Sequence, residues 1–176
     1  RQSTVIRNRF GPSRLNAPRR LSRRYTQKVK RIAVLASGNG SNLQALIDAS
    51  LRDELGGGKV VFVACDKEEA FALRRAEGAC VPYVFGKPEG LTRMEFDWLM
   101  AEELRKHEID VIALAGFMRI LSGEFVDQFR GEMLNVHPSL LPDFIGAHAI
   151  KDAFEAGVEK TGVTIHFVTE ELDSGP

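Results

Sequence analysis

Asn135 and His137 set a carboxamide and an imidazole one residue apart, in the run Leu134-Asn135-Val136-His137-Pro138-Ser139-Leu140-Leu141-Pro142. On an extended chain, side chains alternate at period two, so both point to the same side. A carboxamide can hold a carbonyl oxygen, and an imidazole titrates near neutrality. Together they suit acyl-group transfer, where one group stabilises charge on oxygen and the other moves a proton. Met133 to Val136 reads as the strand that delivers them. Pro138, with no N–H and a fixed φ, ends it. The plainer alternative is a strand-end histidine capped by its neighbours.

Ser37-Gly38-Asn39-Gly40-Ser41-Asn42 is the second stretch with chemistry in it. It follows the apolar run Arg31 to Ala36 and precedes Leu43, Leu46 and Ile47 at helical spacing, which reads as strand, tight turn and helix. Glycines let a backbone approach a ligand, and Ser41 or Asn42 can cap the helix. A helix start with free N–H groups and a positive dipole end is a phosphate site. The loop lacks Gly-Lys-[Ser/Thr], so it is not a P-loop. Leu43 stands where the dinucleotide fingerprint has its third glycine. A turn containing two glycines is also common without any ligand.

The scaffold for these groups is a chain of 176 residues, 44% hydrophobic, enough for one core. No apolar run approaches the length of a membrane span, so no membrane partner is expected. The net charge of zero hides a split: residues 1–30 carry ten Lys or Arg and no acid, and the remainder carries 14 basic and 24 acidic side chains. A basic tail on an acidic body is not the footprint of a nucleic-acid-binding domain. The tail, rich in Arg, Ser and Asn and lacking a hydrophobic core segment, fits an organelle transit segment (plastid or mitochondrion) better than a secretory signal. The alternative is a disordered basic extension on a cytoplasmic protein. Cys65 and Cys80 match no metal or redox spacing and read as buried structural thiols. The chain starts at Arg1 rather than Met and stops at Pro176 just after an acidic turn, so both ends are expected to continue.

Further strands are expected at 59–64, 81–85, 110–115 and 161–168, and helices at 70–77, 92–107, 122–129 and 149–156. Pro82 marks an edge strand or a strand start. Thr92 followed by Glu95 is a capping box, and Phe96, Leu99, Met100 and Leu104 form the core stripe of that helix. His107 at its C-terminal end is read as a structural cation that complements the dipole. This alternation predicts one α/β domain over 31–176: a doubly wound, mostly parallel sheet with helices on both faces. In such folds ligands bind outside the carboxyl ends of the strands. Gly38–Asn42, Asp66, Phe117–Leu121 and Asn135/His137 all follow strand ends, so they should share one rim.

Four segments carry a family resemblance: Ser37–Gln44, Ala115–Ser122, Asn135–Pro142 and His166–Pro176, in order and at consistent spacing. From Arg31 to Pro176 the chain resembles the phosphoribosylglycinamide formyltransferase family, with its Rossmann-like formyltransferase fold. The resemblance implies transfer of a formyl group from 10-formyltetrahydrofolate, a co-substrate, to the amine of glycinamide ribonucleotide in purine synthesis. It implies that Gly40, Ser41 and Asn42 hold the ribonucleotide phosphate. Arg93, Met118, Arg119, Ile120, Leu121 and Asn135 would serve the folate. Asn135, His137 and Asp173 would be the catalytic set, with no metal.

Other readings of these residues stand beside it. Asp173 alone would pass as a solvated loop acid, Met118 and Leu121 as core. Arg93 at a helix N-terminus is poorly placed for the dipole, which favours a ligand role. His148, ahead of a helix, and His166, within an alternating strand, are secondary candidates. Phe144-Ile145-Gly146-Ala147 departs from the family and resembles the related formyltetrahydrofolate deformylase, although that relative should lack the Ser37–Asn42 loop. A third alternative is a non-catalytic nucleotide-binding module in which Asp66 holds a ribose. Oligomeric state is not legible.

Overall fold

The computed structural model describes residues 28–86 and 90–176. Residues 1–27, and the transit-segment expectation with them, lie outside the described part. Lys30–Ala36 (β1), Gly58–Cys65 (β2), Tyr83–Phe85 (β3), Val111–Leu114 (β4), Met133–His137 (β5) and Thr164–Phe167 (β6) form one sheet in the order β3-β2-β1-β4-β5-β6. All neighbours run parallel except β5 and β6, which are antiparallel. The helices are Ser41–Leu51 (α1), Phe71–Gly78 (α2), Arg93–Lys106 (α3), Gly123–Gln128 (α4) and Ala149–Glu155 (α5).

Strand alternation splits the interior into two layers. Ala33 and Leu35 of β1 pack with Phe62, Ile112 and Met133, under Phe96, Met100 and Leu104 of α3 and Phe125 of α4. Val34 and Ala36, the intervening residues, pack with Val63 and Cys65 under Leu43 and Ile47 of α1 and Ala72, Leu73 and Ala76 of α2. A strand covered on both faces needs apolar residues at every position, which is why Ile32 to Ala36 is a continuous apolar run. Pro82 immediately precedes the edge strand β3, where a missing N–H does least harm. Because β1 sits between β2 and β4, the winding reverses there and opens a crevice at the carboxyl ends of those strands.

The capping box is formed: Glu95 N–H donates to Thr92 Oγ1 at 3.2 Å and Thr92 N–H to Glu95 Oε2 at 2.8 Å. Along α3, Phe96, Met100 and Leu104 are buried and Leu99 only half so. Two readings are corrected. Cys65 is buried, and burial pushes its thiol up to about 12, but Cys80 is exposed in a left-handed turn after α2. His107 does not serve as a helix-end cation. Its ring stacks on Phe62 with centroids 4.1 Å apart, and burial lowers its pKa below the ordinary 6.5.

That stacking has a consequence for pH stability. A histidine whose folded pKa is depressed binds its proton more readily in the unfolded chain, so stability falls as pH drops below about 6.5. His107→Phe keeps the stack and removes the titration. The loss of denaturant midpoint from neutral to mildly acidic pH is therefore expected to be smaller in this variant than in the parent chain. Parallel curves for the two would exclude His107 as a contributor.

Candidate active site

β5 carries Asn135 and His137 to the carboxyl rim, both on one side as alternation requires. Antiparallel pairing with β6 then sets Asn135 opposite His166 and His137 opposite Thr164. The chain next turns through residues 169–173 and returns Asp173 in a left-handed conformation (φ 52°), which Asp tolerates better than most residues. The Asp173 carboxylate joins the group. Its Oδ2 lies 3.3 Å from His137 Nδ1 and accepts from Gly146 N–H at 2.9 Å. Its Oδ1 accepts from Asn135 Nδ2 at 3.3 Å and lies 3.6 Å from His166 Nε2. Asn135 Nδ2 also meets His166 Nε2 at 3.2 Å.

Each ring has a defined orientation. His137 Nε2 sits 2.9 Å from the Phe144 carbonyl, which can only accept, so that nitrogen carries a hydrogen. His166 Nδ1 donates in the same way to the Phe167 carbonyl at 3.0 Å, leaving Nε2 free to accept from Asn135. His137 and His166 are both 4% exposed, and the Asp173 side chain is 6% exposed. An acid alone in a solvated loop is therefore excluded for Asp173. The 138–146 loop is braced beneath them. Ser139, fully buried, donates to the Asp143 carbonyl; Thr164 Oγ1 donates to Ser139 O at 2.8 Å and accepts from Leu141 N–H at 3.0 Å.

Asn135, His137, His166 and Asp173 line a cavity of about 320 Å³, within the range of small-ligand sites. Gly116–Leu121 and Val168–Leu172 line it as well. Met118 and Ile120 are each 62% exposed, so Met118 is not core; Leu121 is half-buried and packs on the core. The Arg119 guanidinium lies 4.4 Å over the Phe96 ring.

Gly40, not Ser41 or Asn42, occupies the N-cap of α1, and no side chain caps it. The first helical bond runs from Gln44 N–H to Gly40 O, which leaves the N–H groups of Ser41, Asn42 and Leu43 outside the ladder, as an anion site needs. Gly40 is required twice over: its φ is +74°, and a Cβ there would stand 2.8 Å from Ala72 Cβ and 2.9 Å from Ala72 Cα. Arg75 braces the turn, donating to Asn39 O at 2.8 Å, Asn39 Oδ1 at 2.9 Å and Gln44 Oε1 at 3.2 Å.

The turn does not itself line the cavity. It is tied to it across the β1–β4 crevice by Ser37 N–H to Gly116 O at 3.1 Å and Met118 N–H to Ser37 Oγ at 2.8 Å. Arg93 is exposed on the first turn of α3 and does not line the cavity; His148, also exposed, precedes α5 without capping it through its side chain. Asp66 is buried at the end of β2, with Oδ1 unpartnered among the described residues. Ser37, Arg75, Thr164 and the Phe144 carbonyl were missed from sequence. Two had a signal there: Ser37 stood in the glycine-rich loop, and Thr164 in the alternation of the β6 segment.

Residues 30–176 match the family described as formyl transferase. Phosphoribosylglycinamide formyltransferase of Bacillus subtilis is 40% identical over 84% of this chain and 76% of its own length. That of Escherichia coli is 45% identical over 82% and 68%. The human trifunctional purine biosynthetic protein adenosine-3 is 47% identical over 86% of the chain, which spans only 15% of that longer protein. Among solved structures, glycinamide ribonucleotide transformylase 1 from Symbiobacterium toebii superposes with a TM-score of 0.83 at 40% identity, covering 88% of this chain and 74% of its own.

Proposed function

The chain belongs to the formyl transferase family, and from that premise we propose that it moves the formyl group of 10-formyltetrahydrofolate to the primary amine of glycinamide ribonucleotide. The observation that carries this reading is the convergence of Asn135, His137 and Asp173 on one cavity, joined across the crevice to an uncapped helix start. The ribonucleotide phosphate would sit on the N–H groups of Ser41 and Asn42, with Gly40 giving the close approach. The folate would lie along Met118–Leu121, where half-exposed apolar side chains gain by being covered. Arg93, outside the cavity wall, would reach only the outer part of that ligand.

In the reaction the amine nitrogen attacks the formyl carbon and the carbonyl oxygen becomes an oxyanion. Asn135 and His137 are the donors for it. Both are committed in the free site, so substrate must exchange for partners already present. The Asn135–Asp173 contact, at 3.3 Å, is the one a substrate oxygen would displace from the amide, and the Phe144 carbonyl the one it would displace from His137. Asp173 holds the imidazole by its other nitrogen throughout. Collapse breaks the carbon–nitrogen bond to folate; that nitrogen takes up a proton while the attacking amine loses one. The scheme uses no metal and no covalent bond to the protein.

The test is a coupled assay of formyl transfer by the protein with both substrates supplied. Formylation that depends on glycinamide ribonucleotide is expected. Formate release that proceeds equally without any amine would instead assign the hydrolytic chemistry suggested by Phe144-Ile145-Gly146.

A further inference from the structure

We infer that Asp97 is a positioning residue for the folate donor: from behind the cavity wall, its buried carboxylate holds the end of the Met118–Leu121 segment at Ser122. The inference rests on the reading of that cavity as the folate site.

Asp97 lies on α3 among Phe96, Met100, Ala101 and Leu104, is 2% exposed, and does not line the cavity. A carboxylate in such a layer is costly, and an apolar residue would serve the helix better. Nothing within α3 repays that cost. Among the described residues, the one hydrogen bond on its carboxylate comes from Ser122 N–H to Oδ2 at 2.6 Å, and Oδ1 is buried without a partner. Ser122 in turn caps α4, its Oγ accepting from Phe125 N–H at 3.3 Å, so the end of the segment and the start of the helix are a single anchored point.

The near end is anchored separately, by Met118 N–H on Ser37 Oγ. Between these two points Arg119 lies back over Phe96, the neighbour of Asp97, with its Nε buried and unpartnered among the described residues. The segment thus hangs between two clamps, with Met118 and Ile120 left on the open side to meet a ligand. Asp97 grips one clamp, and its effect should fall on the donor alone, because the phosphate turn is braced independently by Arg75.

The experiment compares the parent chain, Asp97→Ala and Asp97→Asn, measuring KM for each substrate, kcat, melting temperature and hydrogen exchange at the Ser122 amide. If Asp97→Ala does not fold, Asp97→Leu fills the same space without an acceptor and carries the same expectation. Loss of the acceptor should raise KM for 10-formyltetrahydrofolate roughly tenfold, the scale of a lost buried hydrogen bond. KM for the amine should stay unchanged, and exchange at Ser122 should quicken. Asp97→Asn, which keeps an acceptor oxygen, should restore both. A purely structural Asp97 would lower the melting temperature and leave the donor KM alone, or raise both KM values together; either result overturns the clamp. A parent chain that neither binds nor uses the folate would overturn the reading of the cavity, and the proposal with it.

Discussion

Replacing His137 with alanine is expected to lower kcat for formyl transfer by about 10²–10⁴-fold, the usual contribution of a positioned acid–base group. The size of the effect follows from how completely the ring is committed to the site. It is buried, held on one nitrogen by Asp173 and on the other by the Phe144 carbonyl, and it stands on the cavity wall beside Asn135. No other imidazole replaces it there: His166 is turned so that one nitrogen donates to the Phe167 carbonyl and the other faces Asn135. Removing the ring also takes one hydrogen-bond partner from the Phe144 carbonyl and one from Asp173 Oδ2, which keeps Gly146 N–H, a cost of about 1 kcal/mol to stability. Melting curves must therefore accompany the kinetics. A folded His137→Ala chain with unchanged kcat would remove the imidazole from the mechanism.

Gly40→Ala is expected to be the most damaging small substitution in the turn proposed to hold the phosphate. An alanine held in the left-handed region costs about 1–2 kcal/mol. Its Cβ would in addition press on Ala72 at 2.8 Å and on that residue's backbone at 2.9 Å, where no flexible side chain can yield. Overpacking of that kind costs about 1–3 kcal/mol. Either α2 shifts or the turn opens, and both move the free N–H groups of Ser41 and Asn42. A fall in denaturant midpoint should therefore come with a raised KM for the ribonucleotide and little change in KM for the folate. Gly38→Ala is the control, since no atom lies within 4 Å of a Cβ there and its φ is not left-handed. Equal behaviour of the two variants would contradict the assignment of the turn.

The reasons for these two effects differ in how far they could be read in advance. The pairing of Asn135 with His137 needs only alternation along five residues. The strand–turn–helix reading of Arg31 to Ile47 needs only composition and spacing, and the Thr92–Glu95 box is a contact between residues three apart. The uncapped start of α1 is different. Ser41 and Asn42 were reasonable caps by type, but Gly40 takes that place, and the approach of α2 leaves no room there for a Cβ. His107 likewise looked like a dipole partner until the Phe62 ring across the fold made its surroundings apolar.

What the amino-acid order determined by itself, beyond the family resemblance of its four motifs, is local: which runs are strands buried on both faces, where helices begin, and which side chains share a side. Each depends on residues within about one helical turn, where covalent geometry alone decides proximity. The tertiary structure decided the rest. Asp173 reaches Asn135 across 38 residues, His166 meets it across 31, and Ser37 holds Met118 across 81. Such distances are set by strand order and register, and a slip of one residue between β5 and β6 would turn His166 away to the other face.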